Sequence, residues 1–381
     1  MISVSCSTKF HAFALAEQLE RHKILNHFYT IYTSKKDKWI SQFNKRIDSE
    51  KIGIEKFVTF PLLAPVARFH RKPFVTNLIF DTLVASKLRE DSRLFIGWSG
   101  MSLKSIKRSK QLRTVTVLER GSSHISNQHR LLEEEYKKLG IPFHFDRRVE
   151  AQELEEYELT DYITVPSTYA KRSFIERGFS SDKIFVNNFG ASSIFFPSEP
   201  KDSVFTILYV GGLTVQKGLI YLFEALNKLS LPEKSYKAVF AGTVAEELKP
   251  IIAKFAKPHW QFLGHVQPHM LSSVMSRASV MVQPSLQEGL SMVIPQVLAC
   301  GVPVIATTNT GGEDIITDGK DGFIVPIRSS DAIADKIEML FANSDLLQTM
   351  QENARKRVTH FGTWDAYGDR YRDFVLSKIQ V

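Results

Sequence analysis

Apolar positions along the chain follow two alternating patterns. Short runs rich in β-branched and aromatic residues are separated by longer stretches in which apolar residues recur at helical spacing. In the first half, Ile2–Cys6, Leu25–Thr33, Leu94–Gly97, Thr114–Leu118, Tyr162–Pro166 and Ile184–Asn187 read as strands. Ala12–Arg21, Ser102–Lys110 and Ala170–Arg177 read as helices between them. The alternation then restarts. Phe205–Val210, Lys237–Gly242, Trp260–Leu263, Val280–Gln283, Pro303–Thr307 and Gly322–Val325 predict strands. Leu219–Leu229, Glu246–Phe255, Pro268–Arg277, Ile294–Ala299 and Ser330–Phe341 predict helices.

Strands that are apolar throughout, interleaved with helices, belong to parallel sheets covered on both faces. The pattern therefore predicts two successive α/β domains, 1–197 and 202–360. Pro197, Ser198 and Pro200 cluster between them as a linker does. Segment 361–381 carries Trp364, Tyr367, Tyr371 and Phe374 at helical spacing. It is expected to form a terminal helix that packs back on the first domain.

Composition narrows the class. With 43% hydrophobic and 24% charged residues, disorder is excluded as a default. Cys6 and Cys300 lie far apart and outside any CxxC spacing. This argues against a disulfide framework or a structural zinc site and fits a reducing compartment. The N-terminus lacks a basic leader pattern, and no run approaches the ~20 apolar residues of a spanning helix. The expected location is cytoplasmic, at most peripheral to the inner face of a membrane.

The net charge of +8 sits entirely in the first half. Residues 1–195 hold 31 Lys+Arg against 22 Asp+Glu, whereas the remainder holds 18 against 19. Such asymmetry points to an anionic partner for the first domain. The stretches 35–40 and 104–110 mix cations with apolar residues, which suits either an anionic lipid surface or a merely solvated one. No nucleic-acid module is recognisable, and no nucleic acid is expected.

The most informative stretch runs from Pro284 to Gln296, between a strand and a helix. Gly289 relaxes the backbone, so the amides of Leu290 and Ser291 are expected to face an anion. Glu288 is expected at the rim, where a carboxylate accepts sugar hydroxyls, with Gln296 about two turns deeper beside a ribose. The residues alone fit a plain strand–turn–helix with a solvated Glu somewhat better. A second strand-to-helix turn, Tyr209–Gly218, combines Gly211 and Gly212 with Lys217, a pairing suited to a diphosphate. It does not match GxGxxG, so a nicotinamide site is unsupported.

These segments, with Ala299–Thr307 and Thr310–Asp314, resemble the retaining family 4 glycosyltransferases. The resemblance implies the GT-B fold: two Rossmann-like α/β/α domains whose parallel sheets face each other across a cleft. The family signature is a Glu, seven residues and a second Glu. Glu288 matches the first, and Gln296 occupies the second, keeping an acceptor oxygen without the charge. Lys217 and Gly218 match the family's Lys-Gly at the diphosphate, while Gly212 stands where relatives often have Arg. His265 and Val266 fall by the nucleobase, through backbone contacts.

In the first half, relatives carry a glycine-rich loop where this chain has Ser7–Ala12, so Lys9 or His11 is the candidate to face the cleft. Glu119, Arg120, Ser122 and His124 follow the Thr114–Leu118 strand, where the family faces the donor sugar and acceptor. Glu119 and His124 are expected to contact one of them. The run Glu133–Glu135 reads as a solvated helix face.

What the resemblance implies is transfer, with retention, from a UDP- or GDP-sugar to a glycan or lipid-linked acceptor. No Asp-x-Asp cluster suits a divalent ion, so no metal and no cofactor is expected beyond the nucleotide sugar. Two other readings remain: a nucleotide-sugar 2-epimerase of the same architecture, and a non-catalytic nucleotide-sugar or nucleic-acid binding module.

Overall fold

The computed structural model describes residues 1–32, 51–63 and 73–379. The first domain runs β1 (Ile2–Ser5), α1 (Ala12–Arg21), β2 (Leu25–Thr30), β3 (Phe57–Thr59), α2 (Pro73–Lys87), β4 (Leu94–Trp98) and α3 (Leu103–Gln111). It continues through β5 (Val115–Glu119), α4 (Ile125–Leu139), α5 (Arg147–Leu159), β6 (Tyr162–Val165), α6 (Thr168–Ile175) and β7 (Ile184–Val186). Its parallel sheet has the order β3-β2-β1-β4-β5-β6-β7.

The second domain runs β8 (Phe205–Val210), α7 (Leu219–Lys228), β9 (Tyr236–Ala241), α8 (Lys249–Phe255), β10 (Trp260–Gly264), α9 (Pro268–Ser276) and β11 (Val280–Gln283). It closes with α10 (Val293–Ala299), β12 (Val304–Thr307), β13 (Gly322–Val325), α11 (Ser330–Ala342) and α12 (Ser344–Phe361). Its order is β10-β9-β8-β11-β12-β13, again all parallel. In both sheets the first strand is central, and the chain winds outward first to one side and then to the other. That reversal opens a crevice at the carboxyl ends of the two central strands, where ligands of open α/β sheets bind.

The last helix, α13 (Trp364–Ile379), lies on the first domain. Tyr367, Tyr371 and Val375 are buried there. Gln18 of α1 donates to Asp365 at 3.0 Å, and Arg370 donates to Asn187 at 2.8 Å.

Three helices depart from the periodic pattern read above. α2 is apolar on nearly every side and shows no stripe. α12 is strongly polar along most of its length. α5 turns acids inward: Glu153 pairs with Arg120 at 2.9 Å, and Glu156 accepts from the amides of Gly100 and Ser102 at 2.6 and 2.9 Å. β3 is a three-residue, half-buried edge strand too short to register as a run.

The acidic run Glu133–Glu135 is not uniformly solvated. Glu135 is fully buried and accepts from Tyr221 Oη at 2.6 Å and Arg328 Nε at 2.7 Å, both in the second domain. Tyr136 and Leu139 also pack on that domain's core. α4 thus spans the two domains.

The basic stretch 104–110 lies on α3. Lys107 pairs with Glu155 at 2.6 Å, Lys110 pairs with Asp161, and Lys104 donates to Thr82 at 2.8 Å. These lysines are engaged within the domain, which weakens the lipid-surface reading. The other stretch, 35–40, lies outside the described residues. Among the described residues no helix is long and apolar enough to cross a membrane.

Candidate active site

The loops leaving β8 and β11 meet at the switch point of the second sheet. Gly218 has φ +64°, and a Cβ built there would lie 2.0 Å from the Pro284 carbonyl oxygen. Only a glycine lets the two loops approach so closely. Polar contacts then knit them together. The Leu286 amide donates to the Gln216 carbonyl at 3.0 Å, and Gln216 Nε2 donates to the Gln287 side chain at 3.0 Å.

Across this seam Lys217 Nζ lies 2.7 Å from Glu288 Oε1. The same oxygen accepts from Gln283 Nε2 at 2.9 Å and Ser285 Oγ at 2.7 Å. Three donors on one oxygen fix the carboxylate's orientation. Oε2 takes no donor among the described residues and is available to hydroxyl groups. Glu288 is 10% exposed and Lys217 26%, so their Coulomb interaction is only partly screened by water. Gln216, Gln283, Ser285 and Gln287 were absent from the expected site. The signal was a polar residue closing an apolar strand, followed by alternating polar residues in the loop.

The remaining residues of this half are arranged as follows. The Tyr209 hydroxyl donates to the Gly212 carbonyl at 2.8 Å and supports the Gly211–Gly212 turn from below. Gln296 lies half-buried on α10, its amide without a partner among the described residues. His265 is exposed and Val266 half-buried just past β10, after Gly264 at φ +64°.

The expected anion nest is corrected in part. The Ser291 amide donates to the Thr310 carbonyl at 2.9 Å, and both Leu290 and Ser291 are buried. The turn at Thr308–Thr310 tucks beneath the loop and takes the N–H that a ligand was expected to use.

The first domain closes on this loop. Gln287 Nε2 donates to Ser122 Oγ at 2.5 Å and Ser123 Oγ at 3.0 Å. Ser167 Oγ donates to the Gly289 carbonyl at 2.5 Å. Thr168 and Asn188 donate to Asp314, at 2.7 Å from the Thr168 amide and 2.9 Å from Asn188 Nδ2. Ser122 therefore does face the Glu288 loop.

Glu119, His11, Arg120 and His124 do not. Glu119 is buried and pairs with His11 at 3.0 Å, and the His11 ring packs among Trp98 and Phe189. Neither is a free cleft-facing group; they form the floor beneath the loop that begins at Arg120. Arg120 is buried as well, held by Glu153 and by Gln128 at 2.7 Å. Lys9 is exposed on the loop after β1.

His124 is the N-cap of α4. Its Nδ1 accepts from the Ser126 amide at 3.2 Å, and its ring lies against Tyr157 and Phe174 at 5.0 and 4.9 Å. Burial first, and then the charges of Arg177 and Arg120, lower its pKa to about 3. It is a neutral structural cap rather than an acid or base.

A pH dependence follows. Because the folded pKa lies below the ordinary value, the unfolded chain binds the extra proton between these values. His124's contribution is thus complete above about pH 6.5 and is lost as the pH falls toward 3. At pH 5 the loss is about 2 kcal/mol relative to pH 7.5. His124→Asn keeps a capping side chain and is expected to remove that part of the acid sensitivity. Urea midpoints of both proteins at the two pH values check this, and equal slopes would reject it.

Among the described residues no group of three or more His, Cys, Asp or Glu is placed to hold a metal ion.

Comparisons with known proteins bear on the family and the fold. Residues 192–357 match the family described as "Glycosyl transferases group 1". A 238-residue stretch is 27% identical to the capsular polysaccharide biosynthesis glycosyltransferase CapM of Staphylococcus aureus, covering 57% of this chain and 62% of that protein. Matches to two other curated relatives are shorter, spanning 44% and 42% of those proteins. The whole chain superposes on sucrose-phosphate synthase from Thermosynechococcus elongatus with a TM-score of 0.75, at 18% identity over 99% of both chains. It superposes on Anabaena HepE, solved in complex with UDP-glucose, with a TM-score of 0.70, at 15% identity over 99% of both. The fold is GT-B.

Proposed function

We propose that this chain, whose second domain matches the group 1 glycosyltransferase family, is a retaining glycosyltransferase. It moves a sugar from a UDP- or GDP-sugar to a hydroxyl of a glycan or lipid-linked acceptor in polysaccharide or glycoconjugate synthesis. The observation that carries the reading is the 2.7 Å contact between Lys217 and Glu288 at the switch point. It puts a cation for a diphosphate and a carboxylate for a sugar within reach of one small molecule.

In the reaction the bond between the anomeric carbon and the diphosphate oxygen breaks, and a bond to the acceptor oxygen forms on the same face. The acceptor proton passes to the departing phosphate. Lys217 stabilises the charge that grows there. Glu288, through its unoccupied Oε2, orients sugar hydroxyls. Gln296 offers its amide to the ribose, and the backbone at His265 and Val266 meets the base. The acceptor enters from the first domain, and the closed contact at Ser122 and Gln287 excludes water. No metal and no further cofactor takes part in this scheme.

A panel of UDP- and GDP-sugars screened by thermal unfolding tests it. The matching donor at ~100 times its dissociation constant adds about 2.7 kcal/mol of stability. NMR of the product then reports retained configuration, and donor incubated alone separates transfer from 2-epimerisation. The reading fails if no nucleotide sugar raises the midpoint, or if the product is inverted.

A further inference from the structure

We infer that a second crevice, between α4, α6 and the turn at Asn309, is a binding site for a phosphate group. The crevice encloses about 170 Å³. That is below the size of pockets that hold whole drug-sized ligands and suits a compact group.

Its walls are cationic and polar. Arg130 and Arg172 line it together with the buried side chains of Asn127 and Tyr169. A guanidinium carries five N–H donors. Arg130 spends one on Glu134 at 2.7 Å and one on Asn127 at 3.2 Å. Arg172 spends one on Glu313 at 3.3 Å. Both pairs are partly exposed, where pairing is weak. Glu176, the carboxylate in the lining, is exposed. A third guanidinium, Arg177, is close enough to Arg130 that burial and that charge together lower its pKa. Guanidinium groups with unspent donors on one crevice match the tetrahedral oxygens of phosphate, which they bind in forked pairs.

The location gives such binding a consequence. The Asn309 carbonyl accepts the Glu288 amide at 2.9 Å, and Asn309 Nδ2 donates to the Leu286 carbonyl at 2.9 Å. A phosphate held by α4 and α6 against this turn braces the Glu288 loop through Asn309 and ties the two domains together.

The phosphate has two sources: a free phosphate or soluble phosphomonoester, or the phosphate of a lipid-linked acceptor. The test is thermal unfolding of the full chain with inorganic phosphate, with glycerol 3-phosphate and with a polyprenyl phosphate in detergent. Each is compared with chloride at equal ionic strength. Saturating phosphate is expected to raise the midpoint by about 2–4 °C. The shift should persist in Lys217→Gln, which removes the donor-site cation. In the Arg130→Gln, Arg172→Gln double variant the apparent phosphate affinity should fall at least tenfold. Should the double variant not fold, Arg130→Gln alone decides, because its hydrogen-bond partners Asn127 and Glu134 both lie on its own helix α4.

Tighter binding of the polyprenyl phosphate assigns the site to the acceptor; equal or weaker binding assigns it to a soluble phosphate. The inference is overturned if no probe shifts the midpoint. It is equally overturned if the shift vanishes in Lys217→Gln and survives in the double variant. UDP run in parallel reports on the donor reading separately, since its stabilisation does not depend on Arg130 or Arg172.

Discussion

Replacing Lys217 with Ala is expected to lower sugar transfer by about two to three orders of magnitude, the usual cost of removing one donor aimed at charge that develops in a transition state. The fold should survive. Lys217 is a quarter exposed, and Glu288 keeps the hydrogen bonds from Gln283 and Ser285 when the ammonium is gone. Melting temperature should move little while transfer collapses. Lys217→Arg restores charge but not the compact point charge, so it should recover only part of the rate. Steady-state rates with the donor found by the screen, set beside thermal melts, check both statements. A Lys217→Ala enzyme with full turnover would mean that the 2.7 Å contact is an ordinary surface pair.

Much of this site could be read from the sequence because the chemistry sits in two short strand-to-helix turns. Val280–Gln283 and Phe205–Val210 are bounded as observed, and Lys217 and Glu288 fall directly after them. What the sequence could not supply was the long-range pairing. Glu119, Arg120 and His124 lie at or after the end of β5, where the family resemblance implies contact with substrate. Yet His11, Glu153 and the aromatic cluster around Tyr157 come from distant segments and bury all three. Local spacing does not reveal that a polar residue has found a buried partner on a separate segment.

The same limit explains α5, whose inward acids invert the expected pattern, and Glu135, whose partners Tyr221 and Arg328 belong to the other domain. It explains Ser291 too. The helix-start spacing predicted a free amide, but the carbonyl of Thr310 reached it first.

The interdomain seam makes Gly289 a sensitive backbone position of the site. A Cβ at residue 289 would lie 2.1 Å from the Gly121 carbonyl oxygen and 2.8 Å from Ser122 Cα. Backbone on both sides leaves no flexible side chain to yield, so Gly289→Ala must push the first domain away from the Glu288 loop. Gln287 would then lose Ser122 and Ser123, and Ser167 would lose the Gly289 carbonyl. The expected result is a loss of transfer of about 100-fold or more, as a displacement near 1 Å at a reacting group commonly costs. Binding of the nucleotide diphosphate alone should change far less, because Lys217, Gln296 and the turn at Gly211–Gly212 all belong to the second domain. Calorimetric UDP affinity within about threefold of the parent, alongside the lost rate, would show that the domains must touch at this loop for chemistry but not for donor capture. Equal losses in both would instead locate the damage within the second domain's own fold.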